Sequence, residues 1–155
     1  MVILLQTELD ICRVNSDKVR LLRHSELRKG EDFATTSYLR DNDKETFHMA
    51  GFQDGKVVTC ATFYPEFSEN ISAENPYRLR GMATDNNCQR KGYATTLMQA
   101  SFKELKERDC DMLWCNARLI AIDFYKSMGF QIMGELFDIV GIGPHYYMYK
   151  NLLNK

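Results

Sequence analysis

The sequence predicts an α/β (α+β) fold in which helices flank a mixed, mostly antiparallel sheet, within a single domain over residues 1–155. The chain is 45% hydrophobic and 26% charged, which is the composition of a globular domain that buries its own core. A hairpin pattern precedes the clearest helix, and segments with strand and helix periodicity alternate after it. That order predicts a sheet with helices packed on its faces.

The first predicted elements are a basic helix and a β-hairpin. Residues 17–29 follow the capping pair Asn15-Ser16 and combine five Lys or Arg residues with strong helix formers, although their apolar face is irregular. Residues 46–52 and 56–64 are β-type runs separated by a turn that contains Asp54-Gly55. Because Asp-Gly favours the tight turns that join antiparallel strands, these runs predict a hairpin.

The middle of the chain predicts a third strand and a long helix. Tyr77–Thr84 has strand character, and Gly81 inside it indicates a bulge or a close approach to the backbone. From Tyr93 onward the apolar residues recur at helical spacing, with charged residues outside that arc. A Rossmann fold is disfavoured because the chain has no G-x-G-x-x-G turn after its first strand.

The C-terminal third predicts another strand, a helix and two final strands. Residues 111–115 form a short apolar run, and Asn116 is a candidate N-cap for a helix over residues 117–128. Gly129 stands where such a helix would end. The last two predicted strands are residues 130–133 and 146–152.

Charge and hydropathy limit the classes of partner. Lys and Arg number 20 against 21 Asp and Glu, so the net charge of -1 provides no general attraction for nucleic acid or an anionic membrane. The apolar run at residues 2–5 is too short for a signal peptide, and no stretch has the length of a spanning helix. We therefore expect a cytoplasmic protein that binds neither nucleic acid nor membrane.

The cysteines and histidines predict neither disulfides nor a metal site. The five cysteines form no C-x-x-C pair, and an odd number cannot all pair within the chain. The three histidines have no second ligand at the spacing that metal sites use. We expect free thiols and no metal.

Residues 89–94, Q-R-K-G-Y-A, lie between a predicted strand and the long helix. Free N–H groups at a helix start attract anions, and Gly92 would let a phosphate approach the backbone. Arg90 and Lys91 add positive charge at the same place. A charged loop before a helix is also common without any ligand, so this segment alone leaves both interpretations open.

This segment resembles the Q/R-x-x-G-x-G/A pattern of the GCN5-related N-acetyltransferase (GNAT) superfamily, and L-R-G-M-A-T-D at residues 79–85 resembles the strand before that pattern. Downstream, N-A-R at residues 116–118 and F-Y-K-S-M-G-F at residues 124–130 resemble the second conserved block of the family. The resemblance covers about residues 46–152. It implies a GNAT-like fold, with acetyl-CoA as co-substrate and no metal.

The resemblance also implies which residues hold acetyl-CoA. The pyrophosphate would lie on the loop before the helix, and the pantetheine arm would pair with the bulged strand. Arg90 stands where members often have glycine, a position that needs only a free N–H. The cofactor-binding residues implied are Met82, Ala83, Thr84, Gln89, Arg90, Lys91, Gly92, Tyr93, Ala94, Thr95, Asn116 and Tyr125.

Two further roles concern the reaction itself. An unpaired N–H of Met82 or Ala83, beside the bulge at Gly81, would polarise the thioester carbonyl; the alternative is that Gly81 only relieves sheet twist. Tyr125 corresponds to the tyrosine that in many GNAT members protonates the departing thiolate. The adjacent Phe124 is then expected in the core.

Attack by an amine also requires a base, because an alkylammonium is almost fully protonated at neutral pH. His48, Glu66 and His145 are the candidates, and the turn Gly143-Pro144-His145, which resembles the end of one subset of GNAT proteins, favours His145. The predicted catalytic residues are therefore Tyr125 and His145.

The resulting hypothesis is an N-acetyltransferase that moves the acetyl group of acetyl-CoA to a primary amine by direct attack in a ternary complex. A small molecule or a peptide would supply the amine. The alternative is a non-catalytic acyl-CoA-binding or sensor module with the same fold. An acyl-enzyme route through Cys88 or Cys115 is disfavoured because neither has a neighbouring histidine. Whether the basic helix favours an acidic acceptor or is a solvated face stays open, as does a homodimer.

Overall fold

The computed structural model describes residues 9–153, so the apolar run at residues 2–5 lies outside the described residues. Within this range the chain forms three α-helices and seven strands. The helices are α1 (Arg20–Leu27), α2 (Tyr93–Glu107) and α3 (Ile122–Ser127). The strands are β1 (Asp10–Val14), β2 (Phe47–Gln53), β3 (Lys56–Pro65), β4 (Tyr77–Thr84), β5 (Met112–Arg118), β6 (Gln131–Ile139) and β7 (Gly143–Asn151).

The strands hydrogen-bond in the order β1-β2-β3-β4-β5-β7-β6. β4 and β5 run parallel, with Tyr77 opposite Leu113. The pairs β1–β2, β5–β7 and β6–β7 are antiparallel. The predicted mixed, mostly antiparallel sheet is therefore confirmed. No helix among residues 9–153 is long and apolar enough to cross a membrane.

The described chain divides into two compact units, so the expectation of a single domain stays a prediction. The first unit comprises residues 9–62 and 81–100, and the second comprises residues 63–80 and 101–153. The core of the first unit is a small apolar cluster that includes Val19, Leu22, Ala50, Cys60 and Ala83.

The second unit is organised around an aromatic core. Trp114 stacks on Tyr147 with ring centroids 5.4 Å apart. The Trp114 indole N–H donates to the carbonyl of Glu66 at 2.9 Å, which satisfies its buried polar atom. Leu113 and Met148 are fully buried in the same unit.

The predicted hairpin is present, but the N-terminal region differs from the prediction. β2 and β3 are joined by Asp54 (φ 52°) and Gly55 (φ 77°), the pair of left-handed residues that a type I′ turn requires. The basic helix is shorter than predicted and follows a 3₁₀ turn at Ser16–Lys18. β1 was not predicted, because its mostly exposed residues lack alternation and its pairing with β2 is a tertiary contact.

In the second unit the predicted start of the last helix is wrong. Asn116 is not an N-cap, since it lies inside β5 opposite Tyr147, and α3 begins only at Ile122 after a 3₁₀ turn at Leu119–Ala121. Pairing with β7 extends β5 beyond its apolar run. Gly129 does end the helix, as predicted, with a φ of 93°.

Candidate active site

The segment before α2 is anchored at its start by Asp85. The Asp85 carboxylate accepts the N–H of Asn87 at 2.9 Å and pairs with Lys56 at 3.2 Å. The hydrogen bond from Asn87 and the one from Lys56 lower the pKa of Asp85. The Asp85 N–H donates to the carbonyl of Val58 at 2.8 Å. These bonds hold the chain in position immediately before the predicted phosphate loop.

The loop itself contains two residues in the left-handed region, Arg90 (φ 65°) and Gly92 (φ 78°). The N–H and hydroxyl of Thr96 both bond the Gly92 carbonyl at 3.0 Å, which closes the first turn of α2. The N–H groups of the first three helical residues therefore precede any intrahelical acceptor. They are Tyr93, Ala94 and Thr95. Such a turn binds anions.

The space and charge around this loop fit a pyrophosphate. A Cβ at Gly92 would meet nothing within 4 Å, so the backbone there faces open space. Gln89, Arg90 and Lys91 are exposed, and the two cations form no ion pair within residues 9–153. Tyr93 is held from the other side, because its hydroxyl accepts a 2.6 Å hydrogen bond from Gln53.

β4 contains a left-handed residue at Gly81, a break in regular strand geometry that we call the bend in β4, and the close approach to the backbone that the sequence allowed is present there. Gly81 has a φ of 62° in the middle of the strand, a conformation that favours glycine. A Cβ there would lie 3.0 Å from Nε of Arg23 and 3.2 Å from Cε2 of Tyr38. Position 81 therefore requires glycine for its backbone conformation and for its surroundings.

The residues after the bend are held by β3. Ala83 is buried, and its carbonyl accepts the hydroxyl of Thr59 at 3.3 Å. The hydroxyls of Thr84 and Thr59 are 3.0 Å apart. Met82 is half-buried. The structure thus places Met82, Ala83 and Thr84 in the same unit as the loop at residues 89–95.

A buried ion pair supports this bend, and the sequence interpretation missed it. Arg23 is 0% exposed and bonds both oxygens of Asp41, at 2.7 and 2.9 Å. It also donates to the Thr36 carbonyl at 2.8 Å and the Thr62 hydroxyl at 2.7 Å. Its guanidinium carbon lies 3.9 Å from the centroid of Tyr38. The sequence feature that could have indicated a buried arginine is the irregular apolar face of the predicted helix.

Asp41 is the acceptor at the centre of this network. It receives the N–H of Tyr38 at 2.9 Å in addition to the Arg23 bonds. Burial by itself would raise the pKa of Asp41, but the bonds from Arg23 and Tyr38 and the charge of Arg23 outweigh it, so the pKa falls below 3.8. The loop that carries Tyr38 is thereby tied to α1.

His48 belongs to the same network. Its Nδ1 lies 2.7 Å from the Thr62 hydroxyl and its Nε2 lies 2.9 Å from the Asp41 carbonyl. Burial lowers the pKa of His48 more than the neighbouring Asp41 raises it. A neutral ring with both nitrogens engaged has no lone pair for a substrate, so His48 is a structural residue.

In the second unit, Tyr125 lies in α3 and is only 6% exposed. Its ring packs edge-on against Phe124 and Phe130, with centroids 5.4 and 5.2 Å away. Burial raises the pKa of Tyr125 well above 10, so the phenol keeps its proton at neutral pH. Its hydroxyl has no hydrogen-bond partner within residues 9–153. Phe124, expected in the core, is only half-buried.

His145 and Asn116 lie on adjacent strands of the second unit. His145 is 3% exposed, stacks on Phe137 at 6.0 Å, and pairs across the sheet with Arg118. Its Nδ1 lies 2.7 Å from the Gly143 carbonyl, which can only accept. Nδ1 therefore carries the proton, and the lone pair of the neutral ring is on Nε2. Asn116 is half-buried on β5.

The other candidate groups are less suited to catalysis. Glu66, a candidate base, is paired with Arg78 at 3.1 Å. Burial raises the pKa of the thiol of Cys115, one of the two cysteines considered for an acyl-enzyme, far above its usual range. It also raises the pKa of the buried Cys60 thiol to about 12, so neither is a thiolate at neutral pH. Within the described part of the chain, no group of three His, Cys, Asp or Glu residues could hold a metal ion.

A cavity of about 690 Å³ also lies in the first unit, beside α1 and the hairpin turn. Leu22, Phe52 and Val57 are among its apolar walls, and residues 85–87 form part of its edge. None of the predicted site residues lines it. Its lining ends at Asn87, two residues before the predicted phosphate loop begins.

Comparison with known proteins decides the family. The model of the Acetyltransferase (GNAT) family matches residues 16–130, well over half of the chain. The chain belongs to the GNAT acetyltransferase family. It is 33% identical over 144 residues to the uncharacterized N-acetyltransferase YitI of Bacillus subtilis (strain 168). This alignment covers 93% of this chain and 97% of YitI.

Solved structures share the GNAT fold. A putative N-acetyltransferase from Lactobacillus plantarum has a TM-score of 0.77 and 18% identity, covering 94% of this chain and 99% of that chain. Aminoglycoside 6′-N-acetyltransferase complexed with coenzyme A has a TM-score of 0.76 and 12% identity, covering 94% and 98%. The GNAT resemblance is confirmed, and the family match starts at residue 16 rather than near residue 46.

Proposed function

We propose that this GNAT protein transfers the acetyl group of acetyl-CoA to a primary amine by direct attack in a ternary complex. The observation that carries the proposal is the loop before α2. It combines two left-handed residues, open space beside Gly92, exposed cations and three N–H groups at the start of the helix that have no intrahelical acceptor. The related aminoglycoside 6′-N-acetyltransferase is complexed with coenzyme A, which supports the choice of co-substrate.

The loop at residues 89–95 would bind the pyrophosphate through backbone N–H groups. Arg90 and Lys91 would add attraction without first breaking internal ion pairs. Met82, Ala83 and Thr84 would offer their backbone to the pantetheine arm, and Asn116 is proposed as a further contact. Because the binding groups are mostly main-chain amides, their positions depend on the backbone angles at Arg90 and Gly92.

The bend at Gly81 would place an N–H of Met82 or Ala83 against the thioester carbonyl. As the amine nitrogen bonds to the carbonyl carbon, negative charge grows on the oxygen, and a fixed donor stabilises that charge more than it stabilises the reactant. Collapse then breaks the carbon–sulfur bond. The products are an amide and a thiolate that needs a proton.

Tyr125 is proposed to supply that proton. Its raised pKa keeps the phenol protonated at neutral pH but also makes it a weaker acid than a thiol, so the transfer depends on the negative charge that grows on sulfur. The hydroxyl has no hydrogen bond to lose among the described residues. The phenol transfers its proton to sulfur as the carbon–sulfur bond breaks, and the phenolate regains one from solvent. A free thiol and a neutral Tyr125 result.

His145 is proposed as the base that takes a proton from the acceptor's ammonium group, which leaves the neutral amine that attacks. Its bond to the Gly143 carbonyl leaves the lone pair on Nε2, whereas His48 has both ring nitrogens engaged. His145 takes one proton from the ammonium before attack, and a second proton leaves the nitrogen to solvent as the amide forms. Tyr125 gives one proton to sulfur and regains one from solvent, so the products are an amide, a free thiol and one net proton, which His145 returns to solvent. An acyl-enzyme is not needed, in agreement with the raised pKa of the Cys60 and Cys115 thiols.

The first experiment measures acetyl-CoA binding by calorimetry in Gly92→Asp and Gly55→Asp. Both glycines have nearly the same left-handed φ and an unobstructed Cβ position, so the backbone penalty is matched. We expect Gly92→Asp to abolish binding by placing a carboxylate against the pyrophosphate. Gly55→Asp, at the hairpin turn, should bind normally. Equal affinity in the two variants would refute the loop assignment.

The second experiment measures thiol release from acetyl-CoA with a panel of primary amines. Amine-dependent release supports the transferase, whereas cofactor binding without release with any amine favours the non-catalytic module. Tyr125→Phe should lower kcat while acetyl-CoA affinity stays close to wild type. Tyr149→Phe is the control, since that hydroxyl only bonds Gln131 at 3.1 Å. Wild-type kcat in Tyr125→Phe would make Tyr125 merely structural.

A further inference from the structure

The cations on and beside α1 differ in what they bind. Arg23 is buried and paired with both carboxylate oxygens of Asp41, although its Nε, like that of Arg28, has no hydrogen-bond partner. Arg20 donates to the Thr36 hydroxyl at 3.0 Å and to the Phe33 carbonyl at 3.2 Å. Both arginines therefore have internal hydrogen-bond partners, although only Arg23 is paired with a carboxylate.

Arg28, which follows α1 immediately, is different. It is half-buried, and its Nε is buried without any hydrogen-bond partner. Within residues 9–153 its side chain forms neither an ion pair nor a hydrogen bond. It makes a cation–π contact with Tyr38, with 6.0 Å between the guanidinium carbon and the ring centroid. A half-buried guanidinium without a carboxylate is costly, and an anionic ligand would relieve that cost.

The position of Arg28 connects it to the bend in β4. Tyr38, which Arg28 overlies, also lies against Gly81, since a Cβ there would be 3.2 Å from Cε2 of the ring. Tyr38 is fixed by the bond from its N–H to Asp41 and by Arg23 on its ring. A single immobilised ring thus lies against both Gly81 and the guanidinium of Arg28.

We infer that Arg28 binds a carboxylate of the acceptor, so that the acceptors of this enzyme are primary amines that carry a carboxylate. The inference rests on the proposed function, because it assumes that Gly81 marks the thioester. The planar guanidinium matches a carboxylate in two parallel hydrogen bonds, which fixes orientation as well as charge. Tyr38 would form the wall between the carboxylate end and the reacting amine.

The charge pattern supports an acceptor group rather than the cofactor as the partner of Arg28. The phosphate loop already has two exposed cations of its own, Arg90 and Lys91. With a net charge of -1 the protein has no general attraction for anions, so any selectivity for acidic amines must come from local groups. Arg28 is placed to provide it.

The experiment compares amines that differ only at the carboxylate. The substrates are ω-amino acids from glycine to aminohexanoate, each paired with its amide, and the readout is KM and kcat from thiol release. The variants are Arg28→Gln, Arg28→Lys and the control Lys29→Gln, which removes a neighbouring exposed charge. Acetyl-CoA affinity is measured in parallel by calorimetry, and each amine is also titrated into protein saturated with coenzyme A.

Wild-type protein should prefer the acid over the amide at one or more chain lengths. Arg28→Gln should raise KM for those acids by about 10- to 100-fold, the range for a lost charged hydrogen bond, and leave the amides unchanged. Arg28→Lys should recover part of the preference for acids, because lysine keeps the charge but cannot form the two parallel hydrogen bonds of a guanidinium. Lys29→Gln should behave as wild type.

Three results would overturn the inference. The first is no preference for any acid over its amide in wild type. The second is an equal loss for acid and amide in Arg28→Gln. The third is a loss of acetyl-CoA affinity alone, which would assign Arg28 to a cofactor phosphate. Absence of thiol release with every amine would refute the proposed function, and the titrations into the coenzyme A complex would then still decide whether Arg28 selects acids.

Discussion

Replacing Gly81 by alanine perturbs the bend in β4 in two separable ways. The alanine must adopt the φ of 62° that Gly81 has, which L-residues disfavour. Its Cβ must also fit 3.0 Å from Nε of Arg23 and 3.2 Å from Cε2 of Tyr38. Arg23 cannot easily withdraw, because it is fully buried and held by both oxygens of Asp41.

The magnitude follows from these two contributions. The left-handed conformation costs an alanine about 1–2 kcal/mol. Overpacking against a wall that cannot move costs about 1–3 kcal/mol more. The free energy of unfolding should therefore fall by about 2–5 kcal/mol in Gly81→Ala, which is a large part of the stability of an ordinary domain.

Gly30→Ala is the matched control for this measurement. Gly30 also has a left-handed φ, 83°, but a Cβ there would meet nothing within 4 Å. Only the conformational cost applies at Gly30, so the difference between the two variants isolates the contact with Arg23 and Tyr38. Urea unfolding at pH 7 measures both, and the urea dependence should stay close to wild type.

A Gly81→Ala loss no greater than that of Gly30→Ala would refute this reasoning, because Arg23 and Tyr38 would then yield to the new methyl group. The same variant reports on the proposed site. If Gly81 aligns a backbone donor with the thioester, kcat should fall in the folded variant, whereas Gly30→Ala should retain wild-type kcat.

Three further predictions concern other parts of the molecule. Asp41→Asn leaves Arg23 buried without a counter-charge and should cost about 3–5 kcal/mol at pH 7 by urea unfolding. Because the folded pKa of Asp41 lies below 3.8, the Arg23–Asp41 pair stabilises wild type above about pH 4, and this stabilisation disappears as the pH falls through the lowered pKa. The variant should lack this pH dependence. A destabilisation by Asp41→Asn of less than about 1 kcal/mol would contradict the network. Arg90→Gly removes a left-handed non-glycine residue and should stabilise the fold by about 1 kcal/mol in the same assay, while calorimetry should show weaker acetyl-CoA binding; unchanged stability would contradict the strain. His145→Gln should remove the acid limb of the pH dependence of kcat/KM, and an unaltered profile would exclude His145 as the base.

The elements that sequence predicted well are those whose residues determine their own backbone. Asp54-Gly55 supplies the left-handed pair of the hairpin turn, and the apolar spacing from Tyr93 defines α2. The elements it missed depend on pairing. β1 exists through its ladder with β2, and Asn116 is drawn into β5 by β7, although its side chain type favours a helix cap.

The candidate site also contains features that the sequence could predict and features that it could not. The loop at residues 89–95 and the bend at Gly81 were predictable, because glycine and the start of a helix have local consequences for the backbone. The roles of His48 and His145 were not separable from sequence, since they depend on whether both ring nitrogens find partners.

Sequence alone was enough to predict the family, the conformation of the loop before α2 and the long helix, because these rest on neighbouring residues and on a pattern of fixed spacing. Only the tertiary structure decided which cations are available to a ligand. Arg23 meets Thr62 across 39 positions of the chain, and Arg28 has no such partner among the described residues. Burial and pairing of a charge depend on three-dimensional neighbours, so two arginines five positions apart differ in pairing although they are the same residue type.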